Sequence, residues 1–244
     1  MIQVKKLQKL MLACAAIILA FGIGVGVYAN DYYRADETAV AAMANGSGVT
    51  VYQTEDGLTV FAPELPRAGL IFYPGGKVEH TAYAPLLRAM AEEDILCVLT
   101  QMPLNLAVLD INAADGVREK FADVECWYMG GHSLGGSMAA SYLEKHVSEY
   151  EGLILLASYS TTGLTDTDLK VLSLYGTEDG VLNGEKYAQY RGNLPADTVE
   201  IVLEGGNHAQ FGSYGAQDGD GSASILPEEQ LKQTVSHIVQ LIFS

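Results

Sequence analysis

The sequence predicts an α/β fold, a mostly parallel sheet with helices on both faces, and three observations lead there. Apolar runs too continuous to alternate between faces recur along the chain, as strands buried on both sides require. Stretches with apolar residues at helical spacing separate several of these runs, as crossovers between parallel strands require. The chain then closes on an amphipathic segment suited to cover one face of such a sheet.

Taken in order, the chain begins with Lys5, Lys6 and Lys9, followed by a run from Leu10 to Ala29 without a charged residue. As a helix this run is long enough to cross a hydrocarbon core of about 30 Å. Basic residues before it and Asp31 after it favour an orientation that leaves the rest of the chain outside the cytoplasm. Residues 1–29 are therefore expected to be a signal-anchor or transmembrane segment. The alternative is a signal peptide cleaved after Val27 and Ala29, which would leave a secreted protein. Residues 30–48 mix small and polar side chains and end in glycines, as a linker would. The folded domain is expected over 49–244.

"VTVYQT" and "LTVFAP", joined through Glu55-Asp56-Gly57, read as an antiparallel hairpin. "AGLIFYP" (68–74) is a buried-type strand ending in Pro-Gly-Gly, and Tyr83, Leu86, Leu87 and Met90 then mark a helix. "ILCVLTQ" (95–101) is the next strand, with a helix expected through "INAADGVREKF" (111–121). "CWYMGGH" (126–132) leads into a helix from Leu134 to about Lys145. "GLILLAS" (152–158), "LKVLSLYG" (169–176) and "TVEIVLEG" (198–205) are further strands. The closing helix places Leu231, Val235, Ile238, Val239 and Ile242 on one face, with Pro227, Glu228 and Glu229 suited to its first turn.

The 244 residues are 49% hydrophobic and 18% charged, enough to build a core without disulfide or metal staples. A net charge of −16 excludes a nucleic-acid partner, which needs clustered Lys and Arg. Cys14, Cys97 and Cys126 make neither a disulfide framework nor a zinc spacing, and a Cys97–Cys126 bridge would require the fold to bring the two together.

The segment "GGHSLGG" crowds glycines around Ser133 at the junction of a strand and a helix. A sharp strand-to-helix turn lifts one side chain above the sheet and leaves no room for bulky neighbours. Gly131 and Gly135 supply the missing Cβ atoms, in the pattern G-x-S-x-G. A serine hydroxyl is a weak nucleophile until a base takes its proton, and the base needs an orienting carboxylate. His208, in the glycine-flanked loop "GGNHAQFG", is the expected base, with His80 in reserve. His132 adjoins the serine but should point away from it. Asp179, in "YGTEDG", is the expected acid and Glu178 the alternative. A developing oxyanion needs backbone donors. The Leu134 amide should be one, and the loop "YPGGK" the other, through Gly76 first and Lys77 second.

With "YPGGKVEHTAY", "GGHSLGG", "YGTEDG" and "GGNHAQFG" in this order, residues 49–244 resemble the α/β-hydrolase superfamily, in particular its compact bacterial members related to dienelactone hydrolase. The resemblance implies the α/β-hydrolase fold and acyl transfer through a Ser133–His208–Asp179 triad. It also implies neither metal nor organic cofactor, and a small ester or related acyl compound as substrate. Only "YSTTGLTDTD" separates "LLAS" from "LKVL", so no large cap domain is expected. The acidic loop "GAQDGDGSAS" (215–224) lacks a full calcium-loop pattern and reads as a solvated loop. Tyr83, Tyr159 and Phe211 are candidates to line the acyl pocket. The competing expectation is a non-catalytic protein of the same fold that captures a ligand without turnover.

Overall fold

The computed structural model describes residues 26–244 together with Ile17, Leu19, Ala20, Gly22 and Gly24. Two compact units divide at Tyr32 and Tyr33. In the first, residues 26–30 are helical, and the Asn30 side chain donates to the Gly26 carbonyl at 2.8 Å. The expected membrane segment lies largely outside the described residues. Among the described residues no helix is long and apolar enough to cross a membrane.

The second unit is built on an eight-stranded sheet: β1 (Val49–Gln53), β2 (Thr59–Pro63), β3 (Ala68–Tyr73), β4 (Ile95–Leu99), β5 (Trp127–His132), β6 (Gly152–Leu156), β7 (Lys170–Gly176) and β8 (Val199–Leu203). Its spatial order is β1-β2-β4-β3-β5-β6-β7-β8. The β1–β2 hairpin is antiparallel, as expected, and so is the β2–β4 pairing; the other pairings are parallel.

Every residue of β3, β4, β5 and β6 is buried, whereas the edge strands β1 and β8 are partly exposed. Side chains alternate between two cores. Leu70 and Phe72 face one, which also takes residues from α1 (Glu37–Ala42), α2 (Ala84–Ala91) and α6 (Pro227–Ile242). Ile71 and Tyr73 face the other, packed with α3 (Val117–Lys120) and α4 (Leu134–Leu143). Burying each large apolar side chain stabilises the fold by about 1.5–3 kcal/mol before chain entropy is subtracted. The remaining helix, α5 (Gly184–Tyr190), buries no residue and touches the sheet through the Tyr175–Tyr187 ring contact.

Two expectations meet a different outcome. Residues 33–48, read as part of a linker, pack on the domain. Tyr33 bridges to Val78, Asp36 caps α1 by accepting from the Ala39 N–H at 3.0 Å, and Ala39 is fully buried. The Arg88 guanidinium donates to the carbonyls of Ala42, Ala44 and Gly46. Small residues that suggest a flexible tether serve here as a close-packing face. The helix expected over 111–121 shrinks to α3, because Gly116 takes a left-handed conformation (φ 72°) immediately before it. Cys97 is buried and Cys126 exposed, and both are free thiols.

Because β3, β5, β7 and β8 run parallel, the loops after them leave the sheet at one end. Those loops carry Gly75 and Gly76, Ser133, Asp179 and His208.

Candidate active site

Ser133 sits between β5 and α4 with φ 52° and ψ −122°, a conformation that non-glycine residues rarely hold without support. The support is visible. Its N–H donates to the Leu156 carbonyl at 2.9 Å, and its carbonyl accepts from the Ser137 N–H at 3.3 Å and the Ser158 hydroxyl at 2.7 Å. The flanking glycines are required by close approach. A Cβ on Gly131 would lie 2.6 Å from the Gly135 carbonyl carbon, and one on Gly135 would overlap the carbonyl oxygens of Tyr73 and Pro74.

His208 follows β8 and Asp179 follows β7. His208 Nδ1 lies 2.9 Å from Asp179 Oδ2, with side-chain exposures of 1% and 2%. The other Asp179 oxygen accepts from the N–H groups of Val181 and Leu182 at 2.9 and 2.7 Å. A carboxylate can only accept, so the hydrogen-bond network assigns the imidazole proton to Nδ1 and leaves the Nε2 lone pair bare. Nε2 has no hydrogen-bond partner among the described residues. His208 and Ser133 line one cavity of about 250 Å³, shared with Leu134, Ser137, Tyr159 and Asn183.

The alternatives lie elsewhere. Glu178 is exposed and its carboxylate accepts from Thr177, not from His208. His80 is buried, where loss of solvent lowers its pKa, and it does not line the Ser133 cavity. Of the expected oxyanion donors, the Gly76 N–H donates to no group among the described residues. The Lys77 N–H is committed to the Asn105 carbonyl at 2.8 Å, which corrects the reading of Lys77 as a second choice. Leu134 opens α4, where its N–H has no intrahelical acceptor. Leu134 and Gly76 are neighbours: a Cβ on Gly76 would lie 3.0 Å from Leu134 Cδ2.

Of the expected pocket aromatics, Tyr159 lines the cavity, whereas Tyr83 and Phe211 are buried in the core. Tyr83 has another task. Its hydroxyl accepts from the Gly75 N–H at 3.0 Å and lies 2.7 Å from His132 Nδ1. His132 is turned into the protein, with its ring centroid 4.4 Å from that of His208. Burial first, and the neighbouring His208 second, hold the His132 pKa well below its ordinary value, so it stays neutral.

Two further residues escaped the sequence reading. Gln230, fully buried on α6, grips the Asn207 backbone from both sides, accepting from its N–H at 3.0 Å and donating to its carbonyl at 2.8 Å. Asp220, in the loop expected to be solvated, turns inward and accepts from backbone N–H groups on either side of the His208–Asp179 pair. Buried polar positions on an amphipathic helix, and an acid between glycines that permit tight turns, are the signals these two residues left.

Residues 69–232 match a family described as the alpha/beta hydrolase family. No curated protein matches the sequence. Among solved structures, Est1E from Butyrivibrio proteoclasticus is similar at a TM-score of 0.57 and 12% identity, covering 81% of this chain and 100% of its own. A predicted CIB-like hydrolase from Thermoplasma acidophilum is similar at 0.56 and 15%, covering 79% and 100%. TT1662 from Thermus thermophilus is similar at 0.55 and 14%, covering 79% and 98%. The strand order with its β2–β4 antiparallel start, the strained serine turn after β5 and the family match over most of the chain lead to one conclusion: this chain belongs to the alpha/beta hydrolase family.

Proposed function

We propose that the protein is a serine hydrolase that cleaves a carboxylic ester or related acyl bond. The observation that carries this reading is the buried His208, tied through Nδ1 to Asp179 and bare at Nε2, lining the same cavity as the strained Ser133.

The chemistry follows from these groups. The Ser133 hydroxyl attacks the substrate carbonyl carbon while His208 Nε2 takes its proton, and Asp179 stabilises the imidazolium that forms. Negative charge moving onto the carbonyl oxygen meets the N–H groups of Leu134 and Gly76, each such donor worth about 3 kcal/mol. The tetrahedral species collapses, His208 returns the proton to the leaving alcohol, and a water molecule then releases the acyl group by the same steps. Ser133 and His208 Nε2 share no hydrogen bond here, as is common before substrate tightens the site. The absence of a helical segment between β6 and β7 leaves the cavity without a cap from that connection, which suits a small soluble substrate.

Hydrolysis of p-nitrophenyl esters of graded acyl length tests the reading. Asp179→Asn should lower kcat by about 10⁴-fold and Ser133→Ala by about 10⁶-fold. Turnover that survives in Ser133→Ala would remove the serine from the mechanism. A wild-type chain that binds such esters without turnover would favour the ligand-capturing alternative.

We also propose that the uncharged segment 10–29 exports the body, remaining as an anchor or being cleaved after Ala29. Alkaline extraction of membranes, together with N-terminal sequencing of the mature chain, distinguishes the two fates; an intact chain in the cytoplasm would contradict both.

A further inference from the structure

We propose that Asp220 is a positioning residue whose carboxylate ties the loop carrying Asp179 to the loop carrying His208, and so holds the imidazole at its hydrogen-bonding distance from Asp179. The inference rests on the triad reading above.

Asp220 Oδ1 accepts from the N–H of Gly180 at 3.0 Å and from the N–H of His208 at 3.3 Å. Oδ2 accepts from the Ala209 N–H at 2.8 Å, and Oδ1 also accepts from the adjacent Gly221 N–H at 2.9 Å. Gly180 is bonded directly to Asp179, so one carboxylate holds the main chain of both partners in the 2.9 Å His208–Asp179 pair. Hydrogen bonds to an ionised acceptor are roughly twice as strong as neutral ones, which suits a clasp that extends past the paired ends of β7 and β8 and the Glu178 N–H to Gly206 carbonyl bond at 2.8 Å.

The surrounding backbone is shaped for this contact. A Cβ on Gly180 would lie 2.5 Å from the Gly219 carbonyl oxygen, and one on Gly221 would overlap the Glu178 carbonyl oxygen. Segment 219–221 therefore lies against turn 178–180 with no side chain between them, and Gly219 makes the approach with φ 83°. The same segment is tied to the histidine loop again where the Asn207 side chain donates to the Gly221 carbonyl at 2.8 Å.

The chemistry of the clasp makes it sensitive to one atom. Four N–H groups converge on two acceptor oxygens, so Asp220→Asn turns one side of the carboxylate into a donor facing an N–H. Asp218, two residues earlier, is exposed and its side chain makes no hydrogen bond among the described residues, so Asp218→Asn removes the same charge from the same loop without touching the clasp.

The test uses the 244-residue chain and these two variants. Ser133 labelling by a fluorophosphonate is followed as a rate against pH, and the low-field Nδ1 proton of His208 is followed by NMR. Asp220→Asn should label about 10- to 100-fold more slowly, with a shifted pH midpoint and a displaced or broadened Nδ1 resonance, while Asp218→Asn matches the wild type. A wild-type rate in Asp220→Asn would overturn the proposal and leave the hydrolase reading standing. A slower rate with unchanged midpoint and resonance would reduce Asp220 to general support and also overturn it. Absence of labelling in the folded wild type would remove the triad reading, and this proposal with it. Should Asp220→Asn lose its fold, amide exchange in the wild type decides. Protection at Gly180, His208 and Ala209 supports the clasp, and exchange at open-loop rates overturns it.

Discussion

The hydroxyl of Ser158 donates a 2.7 Å hydrogen bond to the carbonyl oxygen of Ser133, so a residue two positions beyond the end of β6 braces the strained turn after β5. Ser158 is nearly fully buried. Ser158→Ala removes that donor and leaves the carbonyl with the longer Ser137 contact. It should cost about 1 kcal/mol in a urea unfolding curve and lower kcat for p-nitrophenyl acetate about tenfold, with KM little changed. An unchanged kcat would show that the brace is not needed for turnover.

The glycines of the turn differ sharply in what they tolerate. Gly135→Ala would press a methyl group into the carbonyl oxygens of Tyr73 and Pro74, whereas Gly163 has nothing within 4 Å of an added Cβ. Gly135→Ala should destabilise by about 3 kcal/mol or fail to accumulate, and Gly163→Ala should change stability by less than about 0.5 kcal/mol. Thermal melts of the pair check this contrast.

Acid should weaken the fold before carboxylates titrate. Burial lowers the pKa of His132 strongly and of His80 in the same direction. As pH falls through about 6.5 the unfolded chain takes up protons on these imidazoles while the folded chain does not, so the unfolded state binds more protons. The stability they contribute is whole above that pH and is lost as pH falls toward the lower folded values, at up to about 1.4 kcal/mol per pH unit for each histidine. Urea midpoints at pH 7.5, 6.5 and 5.5 should decline, and His132→Gln should flatten the decline.

Tyr83 joins the loop after β3 to the end of β5, next to Ser133. Tyr83→Phe would leave the Gly75 N–H and the His132 ring nitrogen without their buried partner, at a cost of about 1–3 kcal/mol. If Gly76 supplies the second oxyanion donor, the same change should lower kcat about tenfold and leave KM near its wild-type value. Equal losses in a matched core variant such as Phe72→Leu would argue for general softening instead.

What the sequence disclosed and what it hid divide along a physical line. Strands β3 to β6 were legible because strands buried on both faces need unbroken apolar runs, and the turn at Ser133 because close backbone approach admits only glycine at Gly131 and Gly135. Asp179 and His208 were picked out by chain order and by their glycine-flanked loops. Asp220, Gln230 and the Tyr83–His132 pair were not, because each acts on backbone or ring atoms far away in sequence. Composition assigns such residues to solvent or to packing. Residues 33–48 read as a linker for a related reason: alanine and methionine between polar residues look unstructured until α2 supplies the surface they cover.

The most direct test is to incubate the 244-residue chain with a fluorophosphonate and map the adduct by peptide mass spectrometry, beside Ser133→Ala and His208→Ala. A single adduct on Ser133 is expected, lost in Ser133→Ala and nearly abolished in His208→Ala. A folded wild-type chain that stays unlabelled, or one labelled equally in His208→Ala, would contradict an activated serine at the β5–α4 turn.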